Sequence, residues 1–347
     1  MATSGLRSCA VVVLNWNGEG HLRRFLPSVV EHTPEWIEIV VADNGSTDDS
    51  RGVVDGAFGG RVKWLDLGRN WGFAEGYNRA LGLLSHDLFI LLNSDVEVTA
   101  GWCEPLVEEL TADGDVAVAG SKLLQCEQRN MFEYAGAAGG FIDYLGYPFC
   151  RGRVLSTLEE DRGQYDDARD IFWVSGAAFG CRGDVFKSLG GFDADFFAHM
   201  EEIDFCWRVQ LAGYKVRVVP QSVVYHLGGG TLSADSPRKT MLNHRNNLAM
   251  IFKCAPTTQR LTCAVVRPLL DALAAASYLL RGRWRSSLAV AEAWWHFVGW
   301  HTSLSRKRKV IRSKKIAEST HIYRGSILLS HLFRGKNVGG VKDRALR

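Results

Sequence analysis

The stretch LFILLNSDVEV, residues 88–98, is the clearest indication of the fold. Its apolar run ends in Asn93, Ser94 and Asp95. A continuous apolar run of this length is typical of a strand that is buried on both faces, as in a parallel sheet covered by helices. We therefore predict a central strand over residues 88–93, with polar groups where it ends.

The chain around this stretch repeats the same alternation of short apolar runs and helical periodicity. The runs that predict strands occupy residues 9–15, 37–43, 62–67, 88–93 and 116–120. Helical spacing of apolar residues separates them, for example in HLRRFLPSVV and GFAEGYNRALGLL. Such alternation predicts an α/β fold with a mixed, mostly parallel, Rossmann-like sheet that is flanked by helices. Strand-like segments follow at 171–180, YKVRVVP and SVVYH, whereas residues 126–170 are rich in glycine and show little periodicity.

Composition indicates a globular protein of the reducing cytoplasm. The 347 residues are 46% apolar, which is enough for a sizeable core. The eight cysteines form no CxxC pair, so we expect buried, reduced thiols and neither a disulfide framework nor a zinc site. The N-terminal apolar run has no small-residue cleavage site and leads into a polar loop, which favours a first strand over a signal peptide.

Charge divides the chain into two parts. Residues 255–347 contain 18 Lys and Arg against 4 Asp and Glu, whereas residues 1–254 contain 23 against 34. We therefore predict an α/β domain over 1–254 and a basic, helical region over 255–347. A basic region indicates an anionic partner, such as a membrane surface, a nucleic acid or a phosphate-bearing substrate.

The segment LTCAVVRPLLDALAAASYLL, residues 261–280, is the most apolar of the chain. Arg267, Pro268 and Asp271 interrupt it, which disfavours a helix that spans a membrane. We expect a helix at the membrane interface or a packed helix. The following segments AEAWWHFVGWH and SRKRKVIRSKK combine tryptophan with lysine and arginine, which suits an anionic membrane surface. The alternative is a packed helical subdomain with a solvated basic face.

Polar residues at the strand ends mark the candidate site, because ligands bind at the carboxyl ends of parallel strands. Asp43 precedes Asn44-Gly45-Ser46, and either a turn or a ligand contact explains it. Thr47 and Asp48 are able to cap the next helix, which leaves Asp43 free for the polar edge of a base. Asp95, near Asn93, suits a hard divalent cation such as Mg²⁺, or simply ends a strand in a turn.

Three further motifs have competing interpretations. Gly18 and Gly20 form part of a GxGxxG motif, but Arg23 occupies the third glycine position, so a dehydrogenase is disfavoured. His226 follows a late strand and is either a metal ligand or a structural histidine, and the glycines after it allow close approach of a phosphate. HMEEIDFCWR, residues 199–208, places three carboxylates at the start of a helix, either to suit the helix dipole or to supply a catalytic base.

These pieces, in this order, resemble the inverting glycosyltransferases of family 2, which have a GT-A fold, and in particular their rhamnosyltransferase-like branch. The resemblance rests on VVVLNWNG, VVADNGSTDDS, GRNWGFAEGYNRAL, FILLNSDVEV, VSGAAFGCRGDVFKSLGGFDADFFAHMEEIDFCWRVQLAGYKV and VVYHLGGGT. Together they cover roughly residues 9–250. The resemblance implies the GT-A nucleotide-diphospho-sugar transferase fold, followed by a C-terminal helical extension.

The resemblance also implies roles for individual residues. The donor-binding set is Asn15, Asn17, Asp43, Asn44, Ser46, Asn70, Gly72, Asn78, Asn93, Ser94 and Asp95. The acceptor-binding set is Ser175, Gly176, Glu201, Asp204, Trp207 and Arg208. Glu202 aligns with the general base, which is usually Asp in the family. Asp95 and His226 would hold a divalent cation, Mg²⁺ or Mn²⁺, although Asn93 replaces the first Asp of the usual DxD motif.

The implied activity is transfer of a sugar, rhamnose by resemblance, from a dTDP- or UDP-linked donor to a lipid-linked or polysaccharide acceptor of the bacterial cell envelope. We expect a peripheral protein on the inner face of the cytoplasmic membrane, with no nucleic-acid partner. A nucleotidyltransferase would need a basic phosphate-binding motif near the first strand, where only Arg23 and Arg24 occur. A non-catalytic nucleotide-sugar-binding protein would tolerate loss of the acidic motif, which here retains its carboxylates.

Overall fold

The computed structural model describes residues 8–228 and 236–334, except the side chains of 332–334. The elements of its first half are β1 (Cys9–Asn15), α1 (Glu19–His32), β2 (Ile37–Asp43), α2 (Ser50–Phe58), β3 (Val62–Asp66), α3 (Gly72–Gly82), β4 (Leu88–Asn93), β5 (Val96–Val98), α4 (Glu104–Ala112), β6 (Val116–Gln125), β7 (Gly140–Asp143), β8 (Pro148–Cys150), β9 (Arg153–Val154), β10 (Thr157–Leu158) and β11 (Arg169–Asp170). The second half contains β12 (Ala178–Arg182), α5 (Gly183–Ser188), α6 (Glu201–Leu211), β13 (Lys215–His226), α7 (Pro237–Cys254), α8 (Thr257–Leu280), α9 (Trp284–Gly299), α10 (His301–Ser313), β14 (Ile322–Tyr323) and α11 (Ile327–Arg334).

A nine-stranded mixed sheet organises the molecule, in the order β11-β13-β6-β12-β4-β1-β2-β3, with β5 paired to β13. β3, β2, β1 and β4 run parallel, while β12 lies antiparallel between β4 and β6. All five predicted N-terminal strands are present. The predicted strand over 171–180 is shorter, because only Ala178–Arg182 joins the sheet, and the two late strands are one irregular strand, β13.

Both faces of the sheet are covered, which explains the continuous apolar runs. Val11 and Val13 of β1 belong to one buried cluster, and the alternating residues Ala10 and Val12 belong to the other. Side chains of successive strand residues point to opposite faces, so a strand buried on both faces needs an apolar residue at every position. All eight cysteines are unpaired and buried.

The strand register brings the predicted polar residues to one edge. Asn15 lies opposite Asp43 in the β1–β2 pair, and Leu14 lies opposite Asn93 in the β1–β4 pair. Asp43 in turn lies opposite Asp66 of β3. The carboxyl ends of the parallel strands therefore form a single polar row, as expected for this class of sheet.

A second sheet of five strands, β10-β9-β8-β7-β14, arises mostly from the glycine-rich region that lacked periodicity. Its strands are two to four residues long, too short for alternation to be visible in the sequence. β14 lies parallel to β7, with Ile322 opposite Ile142. The C-terminal region is thereby attached to the domain that precedes it.

Helices α7 to α10 pack against one another, and α7 also packs against α6. The predicted boundary after residue 254 coincides with the end of α7. Arg308 of α10 donates hydrogen bonds to the carbonyl oxygens of Phe252, Lys253 and Ala255, which are otherwise unsatisfied at the end of α7. Part of the basic region therefore uses its positive charge to complete the helical packing.

Candidate functional site

The carboxyl ends of β1 and β2 form one hydrogen-bonded network. The Asn15 amide donates to Asp43 Oδ1 and to Ser46 Oγ, both at 3.1 Å. Ser46 donates its backbone N–H to Asp43 Oδ2 at 2.9 Å, and its hydroxyl donates to Oδ1. Asn17 contributes its N–H to Ser46 Oγ at 2.8 Å and accepts from the backbone of Thr47. Predicted donor-binding residues 15, 17, 43 and 46 therefore lie together.

The sequence context of Asp43 predicted a carboxylate without partners in the protein, but the structure gives it hydrogen-bond partners. Both of its carboxylate oxygens already accept hydrogen bonds, and its side chain is 5% exposed. Asp48 instead engages Ser50 at the start of α2. Asp43 thus shapes the turn around Ser46, and any contact to a base must use the remaining acceptor capacity of its carboxylate.

Asn44, Asn70 and Gly72 connect the end of β2 to the start of α3. Asn44 accepts from Trp71 N–H at 3.0 Å and donates to the Gly72 carbonyl at 2.9 Å, and Asn70 accepts from Gly72 N–H at 2.8 Å. Gly72 has a φ of 79°, and a Cβ there would lie 2.5 Å from the Phe197 ring. Only glycine allows this close approach between the start of α3 and the loop before α6.

Asn78 forms two hydrogen bonds with the backbone of Phe192. Its amide donates to the Phe192 carbonyl at 2.9 Å and accepts from Phe192 N–H at 2.8 Å. These two bonds tie α3 to the segment that precedes the acidic helix. Asn78 therefore positions this segment, and its contact with the donor stays a prediction.

Asp95 and His226 meet at the predicted metal position, although they are 131 positions apart. His226 Nε2 lies 3.3 Å from Asp95 Oδ1, and His226 Nδ1 lies 3.4 Å from Glu133 Oε2. The antiparallel β5–β13 pair places His226 opposite Val96, directly after Asp95. All three side chains are buried. Gly228 follows with a φ of 71°, whereas Gly229 and Gly230 lie outside the described residues.

Electrostatics at this position favours the charged forms of both partners. Burial opposes ionisation of Asp95, but the hydrogen bond and charge of His226 hold its pKa below the usual value. Burial likewise opposes protonation of His226, yet Asp95 and Glu133 raise its pKa to about 10. In the metal-free protein a proton on His226 therefore compensates the two carboxylates, and a cation bound by the imidazole must displace that proton.

The donor chemistry fits a cation site that the substrate completes. Among the described residues, no group of three or more His, Cys, Asp or Glu side chains forms a full cage. One carboxylate and one imidazole leave several positions for phosphate oxygens and water, as is common for cations that bind with a diphosphate. Glu133 orients the far side of the imidazole, as carboxylates do in many histidine metal sites. Asp95 and His226 are thus the residues that could hold the ion.

The loop before α6 has an unusual backbone conformation. Phe197, His199 and Met200 have φ values of 65°, 69° and 71°, in the left-handed region that non-glycine residues rarely adopt. Each such residue costs on the order of 1–3 kcal/mol. The loop persists only because its surroundings hold it in place.

Two neighbouring elements hold this loop. The Asn246 amide of α7 donates to the carbonyl oxygens of Phe196, Ala198 and His199, at 3.0, 2.9 and 2.8 Å. From the opposite side, Phe73 N–H at the start of α3 donates to the Phe197 carbonyl at 2.7 Å. Asn246 is fully buried. The first turn of α6, with its acidic residues, is therefore placed by α3 and α7 together.

Glu202 lies in the first turn of α6, directly after this loop. Its side chain is partly exposed, whereas Glu201 is 5% exposed. One carboxylate oxygen of each lacks a hydrogen-bond partner. Burial raises the pKa of Glu202 to about 7, and burial together with the charge of Glu202 raises the pKa of Glu201 well above its usual value. A carboxyl group that titrates near pH 7 suits proton transfer at neutral pH.

Gly176 connects Glu202 to the strand ends. A Cβ at Gly176 would lie 3.9 Å from Glu202 Cβ, so the backbone of Gly176 and the side chain of Glu202 are close neighbours. The next residue, Ala177, accepts a hydrogen bond from Asn93 N–H at 2.9 Å. Ser175 is buried, and its hydroxyl accepts from Ala177 N–H. Gly176 and Ala177, which form a turn directly before β12, thus lie between Glu202 and the end of β4.

Three predicted acceptor-binding residues lie in the core instead. Trp207 is fully buried and donates from its indole to Ser319. Asp204 is fully buried and pairs with Arg208 at 2.9 Å and with Lys253 at 2.8 Å. Arg208 also donates to the carbonyl oxygens of residues 189 and 191. The structure corrects all three to packing and charge-pairing roles, since none presents a surface to an acceptor.

Glu133 and Asn246 were missed by sequence reasoning. Glu133 lies in the glycine-rich region without periodicity, where no pattern distinguished it. Asn246 belongs to Arg245-Asn246-Asn247, a polar triplet on the inner side of an otherwise regular helix. A polar run at core positions is the one signal that could have identified it, because buried amides need specific partners.

Comparison with known sequences identifies the family of the chain. The family model described as "Glycosyl transferase family 2" matches residues 10–189, more than half of the chain. The N-acetylglucosaminyl-diphospho-decaprenol L-rhamnosyltransferase of Mycobacterium tuberculosis is 25% identical over 252 residues, which cover 68% of this chain and 81% of that protein. The O-antigen biosynthesis protein RfbC of Myxococcus xanthus is 25% identical over 62% of this chain, but this covers only 17% of that protein.

Solved structures show the same fold at low identity. GalNAc-T7 with UDP, GalNAc and Mn²⁺ superposes with a TM-score of 0.56 at 20% identity, over 72% of this chain and 48% of that chain. The mannosyltransferase PcManGT of Pyrobaculum calidifontis, with GDP-Man and Mn²⁺, gives 0.51 at 13% identity, over 96% and 89%. With the family model matched over more than half of its length, the chain belongs to glycosyl transferase family 2 and is a glycosyltransferase with the GT-A fold.

Proposed function

We propose that this glycosyltransferase moves a sugar, with inversion, from a nucleoside-diphosphate donor to a hydroxyl of a lipid-linked or polysaccharide acceptor in bacterial surface glycan synthesis. Rhamnose from a dTDP-linked donor is the first candidate, with UDP-linked sugars next. The rhamnosyltransferase relative that covers 68% of this chain supports this order. Its name specifies a diphospho-decaprenol acceptor, which supports a lipid-linked acceptor here.

The observation that carries the proposal is the position of Glu202. Its Cβ lies 3.9 Å from the position that a Cβ would take at Gly176, and the adjacent Ala177 carbonyl accepts a hydrogen bond from Asn93 N–H at the end of β4. Asp95 follows two residues later, paired with His226. A base and a candidate diphosphate-binding position therefore adjoin one strand end, as sugar transfer from a diphosphate donor requires.

In the proposed reaction, the acceptor oxygen attacks the anomeric carbon while Glu202 takes the hydroxyl proton. The bond between the anomeric carbon and the diphosphate oxygen breaks, and the nucleoside diphosphate leaves with the electron pair. A divalent cation held by Asp95 and His226 would neutralise charge on the leaving diphosphate. A single base without a covalent nucleophile gives one displacement, and hence inversion of the anomeric configuration.

The neighbouring polar network supports a role in donor binding. Asn15, Asp43 and Ser46 are joined by hydrogen bonds at the ends of β1 and β2, and β1 pairs with β4, which ends two residues before Asp95. The Asn15 Oδ1 atom is buried without a hydrogen-bond partner. We propose that this edge receives the nucleoside part of the donor.

We further propose that the protein works at the inner face of the cytoplasmic membrane, bound peripherally through its basic C-terminal region. The charge balance of residues 255–347, with 18 Lys and Arg against 4 Asp and Glu, supports attraction to anionic lipid. A lipid-linked acceptor would be presented at that surface.

A donor screen with product analysis tests the proposed reaction. Thermal shifts with dTDP-rhamnose, UDP-sugars and GDP-mannose, with and without Mn²⁺, identify the donor, because a ligand that binds the native state raises its apparent stability. NMR of the product then gives the anomeric configuration. We expect metal-dependent stabilisation by one donor and an inverted product. A retained configuration would contradict the single-base mechanism, and donor binding without transfer to any lipid-linked or glycan acceptor would favour a non-catalytic binding protein.

A further inference from the structure

Helix α8 is amphipathic, but its apolar side is exposed and charged residues lie on its buried side. From residue 261 onward its exposed residues are apolar, apart from Thr262, whereas the exposed residues of its first turn are Thr257 and Thr258; the exposed apolar residues are Leu261, Ala264, Val265, Pro268, Leu269, Ala272, Leu273, Ala276, Leu279 and Leu280. Its charged residues face inward, and Arg267 and Asp271 are each 1% exposed. A surface helix normally shows its polar side to water. This outer side is suited to an apolar environment.

Both inward charges, Arg267 and Asp271, are paired with other parts of the domain. Arg267 donates to the Leu145 carbonyl at 3.0 Å and to the side chain of Asn247. Asp271 accepts from the Trp294 indole at 3.0 Å and lies 3.3 Å from His244. Among the described residues, α8 is the one helix with the length and composition of a membrane span. These bonds, however, attach it to α7 and α9 along its inner side. A helix held in this way can lie on a bilayer but cannot cross one without breaking its buried pairs.

Helix α9 extends the same apolar surface. Trp284, Leu288, Ala291, Trp295 and Val298 are all exposed at helical spacing, and the two helices pack directly against each other. Ten of the seventeen large exposed hydrophobic side chains in the described part of the chain lie on α8 and α9. Scattered exposed hydrophobic residues are ordinary, but a concentration of this kind marks an interaction surface.

The turn between the two helices adds positive charge to the apolar surface. The turn contains Arg281 and Arg283, and Arg285 follows in the first turn of α9; beside them are Leu280, which is 90% exposed, and Trp284, which is 55% exposed. Arginine beside tryptophan and leucine is the composition of a segment at the boundary between lipid headgroups and acyl chains. Charge complementarity therefore favours anionic lipid over a purely apolar partner.

We infer that the α8–α9 hairpin docks into the interface of an anionic bilayer, with the outer side of α8, the exposed stripe of α9 and the arginine turn as its contact surface. The inference rests on the proposed membrane-linked acceptor and deepens it by naming the surface. Arg267 of α8 bonds to Asn247 of α7, next to Asn246, which holds the loop before Glu202. Helix α7 thus connects the docking surface with Glu202, the proposed base.

Vesicle flotation of the full chain, without donor or acceptor, tests the surface separately from catalysis. We expect the protein to float with vesicles of phosphatidylglycerol and phosphatidylcholine. Leu269→Glu combined with Leu273→Glu should lower the partition coefficient about tenfold or more, because charges are placed within the apolar layer. Leu83→Glu is the matched control, since Leu83 is also 66% exposed but lies at the end of α3. Circular dichroism and donor-induced thermal shifts verify that each variant is folded.

Charge and oligomeric state provide the second arm of the test. Arg281→Gln with Arg285→Gln should weaken binding to phosphatidylglycerol vesicles by roughly fivefold per arginine, with little change on phosphatidylcholine alone. Absence of wild-type flotation, or equal flotation of the Leu269/Leu273 variant, would overturn the inference. Light scattering without lipid that shows a wild-type dimer and a monomeric Leu269/Leu273 variant would assign the surface to a second copy instead. Loss of transfer activity with flotation intact would contradict only the proposed reaction.

Discussion

The strand-end edge and the loop before α6 are built in opposite ways. At the edge, Asp43 and Ser46 satisfy one another by hydrogen bonds. In the loop, Phe197, His199 and Met200 hold strained conformations, and Glu202 keeps an oxygen without a partner. Strain and unsatisfied polar groups are tolerated where function needs them. The comparison teaches that the turn around Asp43 and Ser46 is satisfied without a ligand, whereas Asn15 Oδ1 beside it and the Glu202 carboxyl group each keep an atom without a partner.

The largest effect should follow from removing the charge of Glu202, in the first turn of α6 directly after the loop. Glu202→Gln should lower kcat about 10²–10⁴-fold, because a general base contributes on that order, and donor affinity should change little. Single-turnover kinetics and donor thermal shifts separate the two. Glu108→Gln, an exposed carboxylate on α4, is the control. Wild-type turnover in Glu202→Gln would show that the unpartnered oxygen is not the base.

A smaller effect should come from Glu133, the carboxylate next to the His226 imidazole. Glu133→Gln should weaken divalent-cation affinity about 10–100-fold, because loss of a carboxylate that orients a ligating histidine has that order of cost. Mn²⁺ titration followed by electron paramagnetic resonance measures the affinity directly, in the presence of donor. Glu127→Gln, exposed in the same region, should leave it unchanged. Equal Mn²⁺ affinity in both variants would remove Glu133 from the cation site.

The third test concerns what holds the strained loop. Asn246→Ala removes the amide donor of the Ala198 and His199 carbonyl oxygens and one of several donors to the Phe196 carbonyl, which should lower the free energy of unfolding by about 1–3 kcal/mol. The same change should lower kcat more than donor affinity, because it displaces Glu202 and not the strand-end edge. Urea unfolding and steady-state kinetics measure the two effects. A variant with reduced stability but wild-type kcat would show that the loop keeps its shape without Asn246.

The smallest effect is expected from a change of pH. Burial raises the pKa of Glu202 to about 7, so the basic form is complete above that pH and is lost as the pH falls through it. At saturating metal and donor, kcat should therefore fall about tenfold per unit at pH values below 6. A profile that stays flat down to pH 5 would indicate that another group accepts the proton. Glu202→Asp, which retains the charge on a shorter chain, should keep part of the activity.

Sequence patterns predicted some residues of the site well and others wrongly, for a common reason. Asn15, Asp43 and Asn93 were placed correctly because strand ends follow from apolar runs, and parallel register aligns them. Asp204 and Arg208 looked available because the acidic helix has a local signature. Their burial depends on partners such as Lys253, which is 49 positions beyond Asp204. Local periodicity does not reveal a distant counter-charge.

The amino-acid sequence by itself determined the α/β sheet, the polar row at its edge and the family, since each follows from local runs, their spacing and their order. The tertiary structure alone decided which polar groups meet. It joined Glu133 to His226, Asn246 to the loop before Glu202, and Arg267 to Asn247, across as many as 93 positions. It also turned the charges of α8 inward and left its apolar side outward. Helical periodicity shows that a helix has two sides, but only packing determines which side faces the protein.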